Sequence, residues 1–266
     1  MDMDSENVKE VENLRKEFSW LLSCEVHKVL EQLEQIIEAA GRRFPLPLGF
    51  VDEQPRQEKY VMATAAQTAQ DQLKCVLTVT GDSITNADLT LKLHKHPNVV
   101  YHTSVSGDQP WKLQQIQDSC HQLQLCVNSL QQNPYKQNRP FHSVEEVISL
   151  MDYLWNTLAK ARGHLLVPKK RTIDELMNSK NMRSLTPALP GDVAVSFYLQ
   201  GPKLVFAVYH LTQAGAAVKF DTLQCEAHVS WLNDVLVLLT IALHKVQQIK
   251  DKVMVFDQYP ELQNSS

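Results

Sequence analysis

The chain has 266 residues, of which 44% are hydrophobic and 21% charged, and its formal net charge is −4. This composition is ordinary for a soluble globular protein with room for two small domains, and it lacks the basic excess of a nucleic-acid-binding protein. The five cysteines are odd in number and form no Cys-x-x-Cys pair, which favours reduced thiols in a cytosolic protein over a disulfide framework.

The N-terminal part of the chain predicts a long amphipathic helix. Its first segment, MDMDSENVKEVENL, is acidic and polar, so we expect neither a secretory signal nor a transit peptide. Gly41 follows the last apolar position, and Pro45 and Pro47 cannot continue a helix. The apolar positions recur at steps of three, four or seven, and they are Val11, Phe18, Leu22, Val26, Val29, Leu33, Ile36 and Ala40.

Four segments with alternating apolar residues follow, and they predict antiparallel strands. They cover residues 58–64, 74–80, 87–93 and 98–105, separated by residues typical of turns. The connections are too short for the crossovers that parallel strands need.

Gly81-Asp82-Ser83 lies between two of these strands and resembles the nucleophile segment of GDSL-type esterases. Such an enzyme also needs a base for the serine proton and donors for the oxyanion. The Asp-x-x-His pair, Asp118 and His121, precedes the place where that family has it, and Trp231 stands where the oxyanion block needs glycine. We therefore interpret the segment as a turn and predict no catalytic residue, with an esterase centred on Ser83 as a remote alternative.

His94 and His96 stand two residues apart, so an extended backbone would place both imidazoles on one face, as at the beginning of a metal site. No Cys, Asp or Glu pair with ligand spacing follows closely, which favours solvated histidines. The sequence also lacks the Gly-rich motifs that bind phosphate. We predict neither a metal nor a cofactor.

Two further helices are predicted in the middle of the chain. Pro110 suits a first helical position, and the apolar stripe after it consists of Leu113, Ile116, Cys120, Leu123, Val127 and Leu130. Ser143 and Glu146 form a capping box for the next helix, which should end near Gly163. The segment after it contains PKKR at 168–171, either a nuclear import signal or a solvated linker, and the linker is favoured.

Three more strands are predicted at 192–199, 203–211 and 216–229, followed by a last helix that Ser230 can cap. The first half of this helix is apolar on most faces, which predicts enclosure by neighbouring elements, and it is too short for a bilayer span. Its second half carries Lys245, Lys250 and Lys252, which suit a helix C-terminus and could lie against the acidic first helix.

The order of these elements predicts an α+β protein with two domains, both discontinuous in sequence. Residues 5–41, 110–163 and 230–257 would form an antiparallel four-helix bundle. Residues 45–108 and 187–229 would form a β-rich antiparallel domain, and residues 164–186 would be a linker that crosses between them.

Heptad spacing is the strongest pattern of the sequence. Because four short stripes can cover one another within one chain, we predict that they form an internal core and do not predict a homodimer. Trp111 and Trp231 stand at helix starts, where packing is favoured and a partner anchor is the alternative. The heptad core comprises Leu22, Val29, Ile36, Leu113, Ile116, Cys120, Leu123, Val127, Leu232, Val235, Leu239, Ala242, Val246, Ile249, Val253 and Phe256.

Several stretches of the sequence resemble the Rogdi family of leucine-zipper-like proteins. They are EFSWLLSCEVHKVLEQLEQI (17–36), WKLQQIQD (111–118), PALPGD (187–192), and WLNDVLV with QQIKDKVMVF (within 231–256). The similarity spans almost the whole chain in the same order.

The resemblance implies a helical bundle with a β domain and no catalytic residues. Rogdi proteins are similar to the small subunit of the RAVE complex, which works with rabconnectin-type β-propeller subunits to promote assembly of vacuolar-type proton ATPases. The resemblance therefore implies a non-enzymatic adaptor whose partners are that scaffold and the ATPase subunits, without nucleic acid. It also implies a neuronal role, peripheral membrane association, and a location in the cytoplasm and nucleus with recruitment to acidic organelles or synaptic vesicles. A nuclear regulatory protein that acts through a zipper dimer is the alternative.

Overall fold

The computed structural model describes residues 3–44, 56–64, 71–96, 98–132, 139–214 and 217–259. Within these ranges the chain contains helices and two antiparallel sheets, which confirms the predicted α+β class. The helices are α1 Met3–Trp20, a π-helical turn Leu21–Glu25, α2 Val26–Gly41, α3 Gln114–Gln132, α4 Val144–Leu166, α5 Ile173–Met177, α6 Lys180–Arg183 and α7 Ser230–Asp257. The strands are β1 Gln57–Ala63, β2 Gln72–Thr80, β3 Ser83–Lys92, β4 Val100–Val105, β5 Trp111–Lys112, β6 Val193–Gln200, β7 Lys203–Ala214 and β8 Ala217–His228.

The chain forms two compact units. The first consists of Met1–Arg42, His121–Arg162 and Val237–Ser266, and the second consists of Arg43–Cys120 and Gly163–Leu236. The described part of the first unit is helical, whereas both sheets belong to the second. An antiparallel four-helix bundle in the predicted form is not evident, because the first predicted helix is interrupted by the π-turn and additional helices occur.

The predicted linker at 164–186 differs most from the structure, since the segment belongs to the second unit and contains α5 and α6. Thr172 and Glu175 form a capping box at the start of α5, in which the Thr172 hydroxyl accepts from the Glu175 amide over 3.2 Å. The Glu175 carboxylate accepts from the Thr172 amide over 2.7 Å. These two bonds satisfy amides that would otherwise lack partners at a helix start, so a short helix forms where charge and proline indicated a linker.

Each of the seven predicted strands overlaps one strand of the structure. The first sheet has the order β1-β2-β3-β4, with β5 also paired to β3, and the second has the order β6-β7-β8. Along β2 every second residue is buried, as expected of a strand with one face in the core: Leu73, Cys75, Leu77 and Val79.

The β2–β3 connection is a tight hairpin. Thr80 lies opposite Ser83, so Gly81 and Asp82 alone form the loop. Gly81 has a φ of 62°, in the left-handed region that glycine adopts without steric cost. Both observations agree with the interpretation of this segment as a turn.

The second predicted helix begins later than expected. Trp111 and Lys112 form strand β5, pairing with Ile84 and Ser83 of β3, and α3 starts at Gln114. Pro110 therefore precedes a strand, because pairing with a distant strand overrides the local preference for a helix start.

A buried glutamine at the start of α3 bonds to the backbone of two other elements of the second unit. The Gln115 side-chain nitrogen donates to the carbonyls of His164 (2.7 Å) and Leu199 (3.0 Å), and its oxygen accepts from the Leu199 amide (2.8 Å). Gln115 is only 8% exposed, so these three bonds satisfy an amide that is almost completely removed from water.

The helical first unit has its own apolar core. Phe18 packs against Phe256 with ring centroids 5.5 Å apart. After the π-turn the buried apolar positions are Val26, Leu33, Ile37 and Ala40, whereas the predicted Val29 and Ile36 are only half-buried. The predicted stripe therefore continues after the π-turn at Val26, Leu33 and Ala40, and Ile37 takes the place of Ile36.

Helix α7 is less enclosed than its composition predicts. Val237 is 50% exposed and Ile241 is 43% exposed, although the heptad positions beside them are buried. Among the described residues, no helix is both long enough and apolar enough to cross a membrane.

Candidate functional site

The first unit contains a groove of about 740 Å³, here called the unit-1 groove. Trp20, Glu25 and Lys28 line one wall, and Lys245, Ile249 and Lys252 line the other. Its walls therefore come from the α1–π-turn–α2 segment and from the second half of α7. A volume of this size is within the range of about 300–1,000 Å³ that is typical of binding clefts.

A large aromatic side chain is exposed at this groove. Leu21 and Leu22 face the core, whereas Trp20 is 56% exposed immediately before them. Trp20 stands two residues from both Phe18 and Leu22, and side chains two positions apart on a helix do not share a face, so Trp20 points away from the buried stripe. Tryptophan is enriched among residues that dominate binding energy, so Trp20 is a candidate anchor for a partner.

Within the ranges that the structure describes, only some of the charged side chains that line the groove form ion pairs. Lys252 forms an ion pair with Glu25, and this contact places a cation of α7 against the acidic first helix segment. Lys28 and Lys245 have no ion-pair partner among the described residues. The Asp251 carboxylate accepts a hydrogen bond of 2.8 Å from Gln247. The groove therefore presents more unpaired positive than negative charge.

Trp111 and Trp231, the predicted alternatives for a partner anchor, are buried in the second unit. Trp111 is 3% exposed, and its indole N–H donates to the Ser184 hydroxyl over 2.9 Å. Trp231 is 7% exposed, and its indole N–H donates to the Glu58 carboxylate over 3.2 Å. Both side chains are occupied by internal contacts, which leaves neither ring open to a partner.

Most residues of the predicted heptad core are buried within the single chain. Four of them, Val29, Ile36, Cys120 and Phe256, are only half-buried. Those with less than a tenth of their surface exposed are Leu22, Leu113, Ile116, Leu123, Val127, Leu232, Val235, Leu239, Ala242, Val246, Ile249 and Val253. An apolar stripe buried in this way has little surface left for a second copy of the chain.

The serine of the Gly-Asp-Ser turn lacks the surroundings of a nucleophile. The Ser83 hydroxyl donates to the Asp82 carboxylate over 2.7 Å, and among the described residues no histidine is bonded to it. Asp118 of the Asp-x-x-His pair accepts from Gln114 (3.0 Å) and from Lys169 (2.6 Å). Lys169 belongs to the PKKR segment, so part of that segment is tied to α3.

The structure separates the two histidines of the predicted His-x-His pair. His94 bonds to Asp71 over 2.9 Å, whereas the His96 Nε2 atom lies 3.2 Å from an Asp192 oxygen. His210 joins His96 and Asp192, and the sequence analysis missed this group. No local pattern could have indicated it, because its members come from three separate segments of the chain.

The comparisons with known proteins agree with the resemblance seen in the sequence. A family model described as "Rogdi leucine zipper containing protein" matches residues 17–254. The chain is similar to "Protein rogdi" of Drosophila melanogaster, with 44% identity over 253 residues, covering 95% of this chain and 92% of that protein. It is also similar to "Protein rogdi homolog" of Danio rerio, with 36% identity, covering 92% of this chain and 94% of that protein.

The human relative gives the same result. "Protein rogdi homolog" of Homo sapiens is 34% identical over 273 residues, covering 92% of this chain and 93% of that protein. These names are not names of enzymes. Because the family model spans most of the chain and the relatives match over nearly their full length, the chain belongs to the Rogdi family.

Proposed function

We propose that this chain is a non-enzymatic adaptor that binds an acidic segment of a partner protein in the unit-1 groove. The proposal is carried by an exposed Trp20 beside a groove in which Lys28 and Lys245 have no ion-pair partner in the described part of the chain. An indole supplies apolar contact area, and the lysines favour carboxylates near it, so an acidic segment with an apolar anchor residue is complementary to both.

The partner that we propose is the rabconnectin-type β-propeller scaffold of a RAVE-type complex. This part of the proposal comes from the resemblance to the Rogdi family, and through it the chain would assist assembly of the vacuolar-type proton ATPase. The same resemblance suggests a cytoplasmic protein with a nuclear pool that is recruited to acidic organelles or synaptic vesicles in neurons.

Affinity purification with matched variants tests the proposal. Wild-type protein, Trp20→Ala and Trp155→Ala would be used as baits in neuronal cytosolic extract, with mass spectrometry as the readout. Trp155 is the control because it is 38% exposed in the same unit and does not line the groove. Removal of an anchor costs about 2 kcal/mol or more, so Trp20→Ala should lower recovery of the scaffold about thirtyfold while Trp155→Ala retains it.

Two results would contradict the proposal. Wild-type protein that recovers neither the β-propeller scaffold nor ATPase subunits would refute the partner. The groove would be refuted as the binding surface if Trp20→Ala and Trp155→Ala recovered equal amounts of the scaffold, provided that circular dichroism shows both variants to be folded.

A further inference from the structure

A cluster of three side chains in the second unit has the composition of a metal site. His96 lies in the turn after β3, Asp192 directly precedes β6, and His210 lies in β7. Val193 is opposite His210 in the β6–β7 ladder, and the Leu211 amide donates to the Asp192 carbonyl over 2.7 Å. The backbone of the second sheet therefore brings Asp192 to His210, and the β3–β4 connection supplies His96.

The distances between the donor atoms are those of ligands around one ion. The Nε2 atoms of His96 and His210 each lie 3.2 Å from the same Asp192 oxygen, and the ligand atoms of the three residues are all within 4.8 Å of one another. Zn²⁺ binds nitrogen and oxygen ligands at about 2.0–2.2 Å in a tetrahedron, which places neighbouring ligand atoms about 3.3 Å apart. The two 3.2 Å distances are close to this spacing.

His210 provides an independent indication. It is 8% exposed, and neither of its ring nitrogens makes a hydrogen bond among the described residues, since the 3.2 Å approach to Asp192 lacks hydrogen-bond geometry. A buried polar group without a partner costs about 1–3 kcal/mol. A bond from Nε2 to a cation would remove part of this cost, whereas the hydrogen bond between His96 and Asp192 leaves His210 unsatisfied.

We infer that His96, Asp192 and His210 bind a divalent transition-metal ion, with Zn²⁺ preferred. Two imidazoles and one carboxylate are typical Zn²⁺ ligands, whereas Ca²⁺ and Mg²⁺ select sites made of oxygen atoms. Three protein ligands leave the fourth position for water. The neighbouring His94 pairs with Asp71, and Lys95 pairs with Asp221, so neither is among the proposed metal ligands.

The ion would cross-link separate segments of the chain within the second unit. His96 belongs to a connection of the first sheet, whereas His210 lies in the second sheet and Asp192 directly precedes its first strand. An ion held by all three joins these segments in the folded state only, and binding to the folded state alone raises stability according to the ion concentration and its dissociation constant.

Zinc titration of tag-free, chelator-treated protein by isothermal calorimetry tests the inference. The variants are His96→Gln and Asp192→Asn, and His94→Gln is the matched control two residues from His96. We expect one Zn²⁺ per chain in the wild type and in His94→Gln. Loss of an outer-shell partner weakens metal binding about 10- to 100-fold, so loss of a direct ligand in either test variant should weaken it at least as much.

Co²⁺ provides a second measurement, because its visible absorption in the wild type should be lost in His96→Gln. We do not rely on a substitution of His210, because the side chain is buried and its replacement could prevent folding. His96→Gln tests metal binding without this risk, because His96 lies in a turn with 27% of its side chain exposed. Absence of saturable binding to the wild type would overturn the inference. Binding that His94→Gln weakens as much as His96→Gln would also overturn it, since the ion would then be held by exposed histidines.

Discussion

Leu239 provides the most direct test of whether the heptads of α7 form an internal core or a dimer seam. Its side chain is 0% exposed within the single chain, so Leu239→Ala leaves a cavity among residues of the same molecule. Such substitutions cost about 2–5 kcal/mol. For a protein of this size each kcal/mol corresponds to about 2–4 °C, so we expect the melting temperature to fall by about 4–20 °C.

The assay is thermal and urea unfolding followed by circular dichroism, with sedimentation to determine the oligomeric state. Val237→Ala is the matched control because Val237 lies two residues earlier on the same helix and is 50% exposed. We expect this change to alter the free energy of unfolding by about 0.5 kcal/mol or less. A Leu239→Ala protein with unchanged stability that converts from dimer to monomer would refute the internal-core reasoning.

Three further predictions concern single side chains. Hydrogen bonds from Gln114 and Lys169 lower the pKa of Asp118, so its contribution to stability is complete above about pH 4 and is lost as the pH falls through the lowered pKa. Urea midpoints of wild type and Asp118→Asn should therefore differ at pH 7 and converge in acid. Cys24 is the exposed thiol, whereas burial raises the pKa of Cys126 to about 12, so Cys24→Ser should abolish fast labelling by a thiol reagent at pH 8. A fluorophosphonate probe should not label Ser83, because among the described residues no histidine is bonded to its hydroxyl to act as the base.

Each of these predictions has a result that contradicts it. A constant difference between wild type and Asp118→Asn down to pH 2 would show that the carboxylate charge is not responsible. Fast labelling that persists in Cys24→Ser would mean that another thiol, such as the half-buried Cys120, is accessible. Probe labelling that disappears in Ser83→Ala would restore the esterase alternative.

Local patterns were sufficient to predict the elements of the fold that depend on local sequence. Alternation predicted strands near their observed positions, since burial of one sheet face imposes a period of two residues. Heptad spacing likewise predicted the buried face of α7, including Leu239 and Val246. By contrast, β5 depends on pairing between Trp111 and Ile84, which are distant in sequence, and the residues around Trp111 carry no sign of it.

The candidate sites could not be predicted for the same reason. Trp20 lies two residues from Phe18 and from Leu22, so the sequence places it off the apolar stripe, but the groove beside it forms only when α7 packs against this segment. His96, Asp192 and His210 become neighbours only through the pairing of β6 with β7 and the position of the β3–β4 connection. Their chemistry was readable from residue type, but their proximity is a property of the folded chain.

The buried amide of Gln115 restricts which residues can replace it. Both of its N–H groups face carbonyl oxygens, and its own oxygen faces an N–H, so all three contacts have a fixed polarity. A glutamate there would direct a carboxylate oxygen at two acceptors, and an asparagine would be one carbon too short to reach them. Substitution of Gln115 is therefore limited by the orientation of its side-chain amide, even where the space around the side chain would accommodate several other residues.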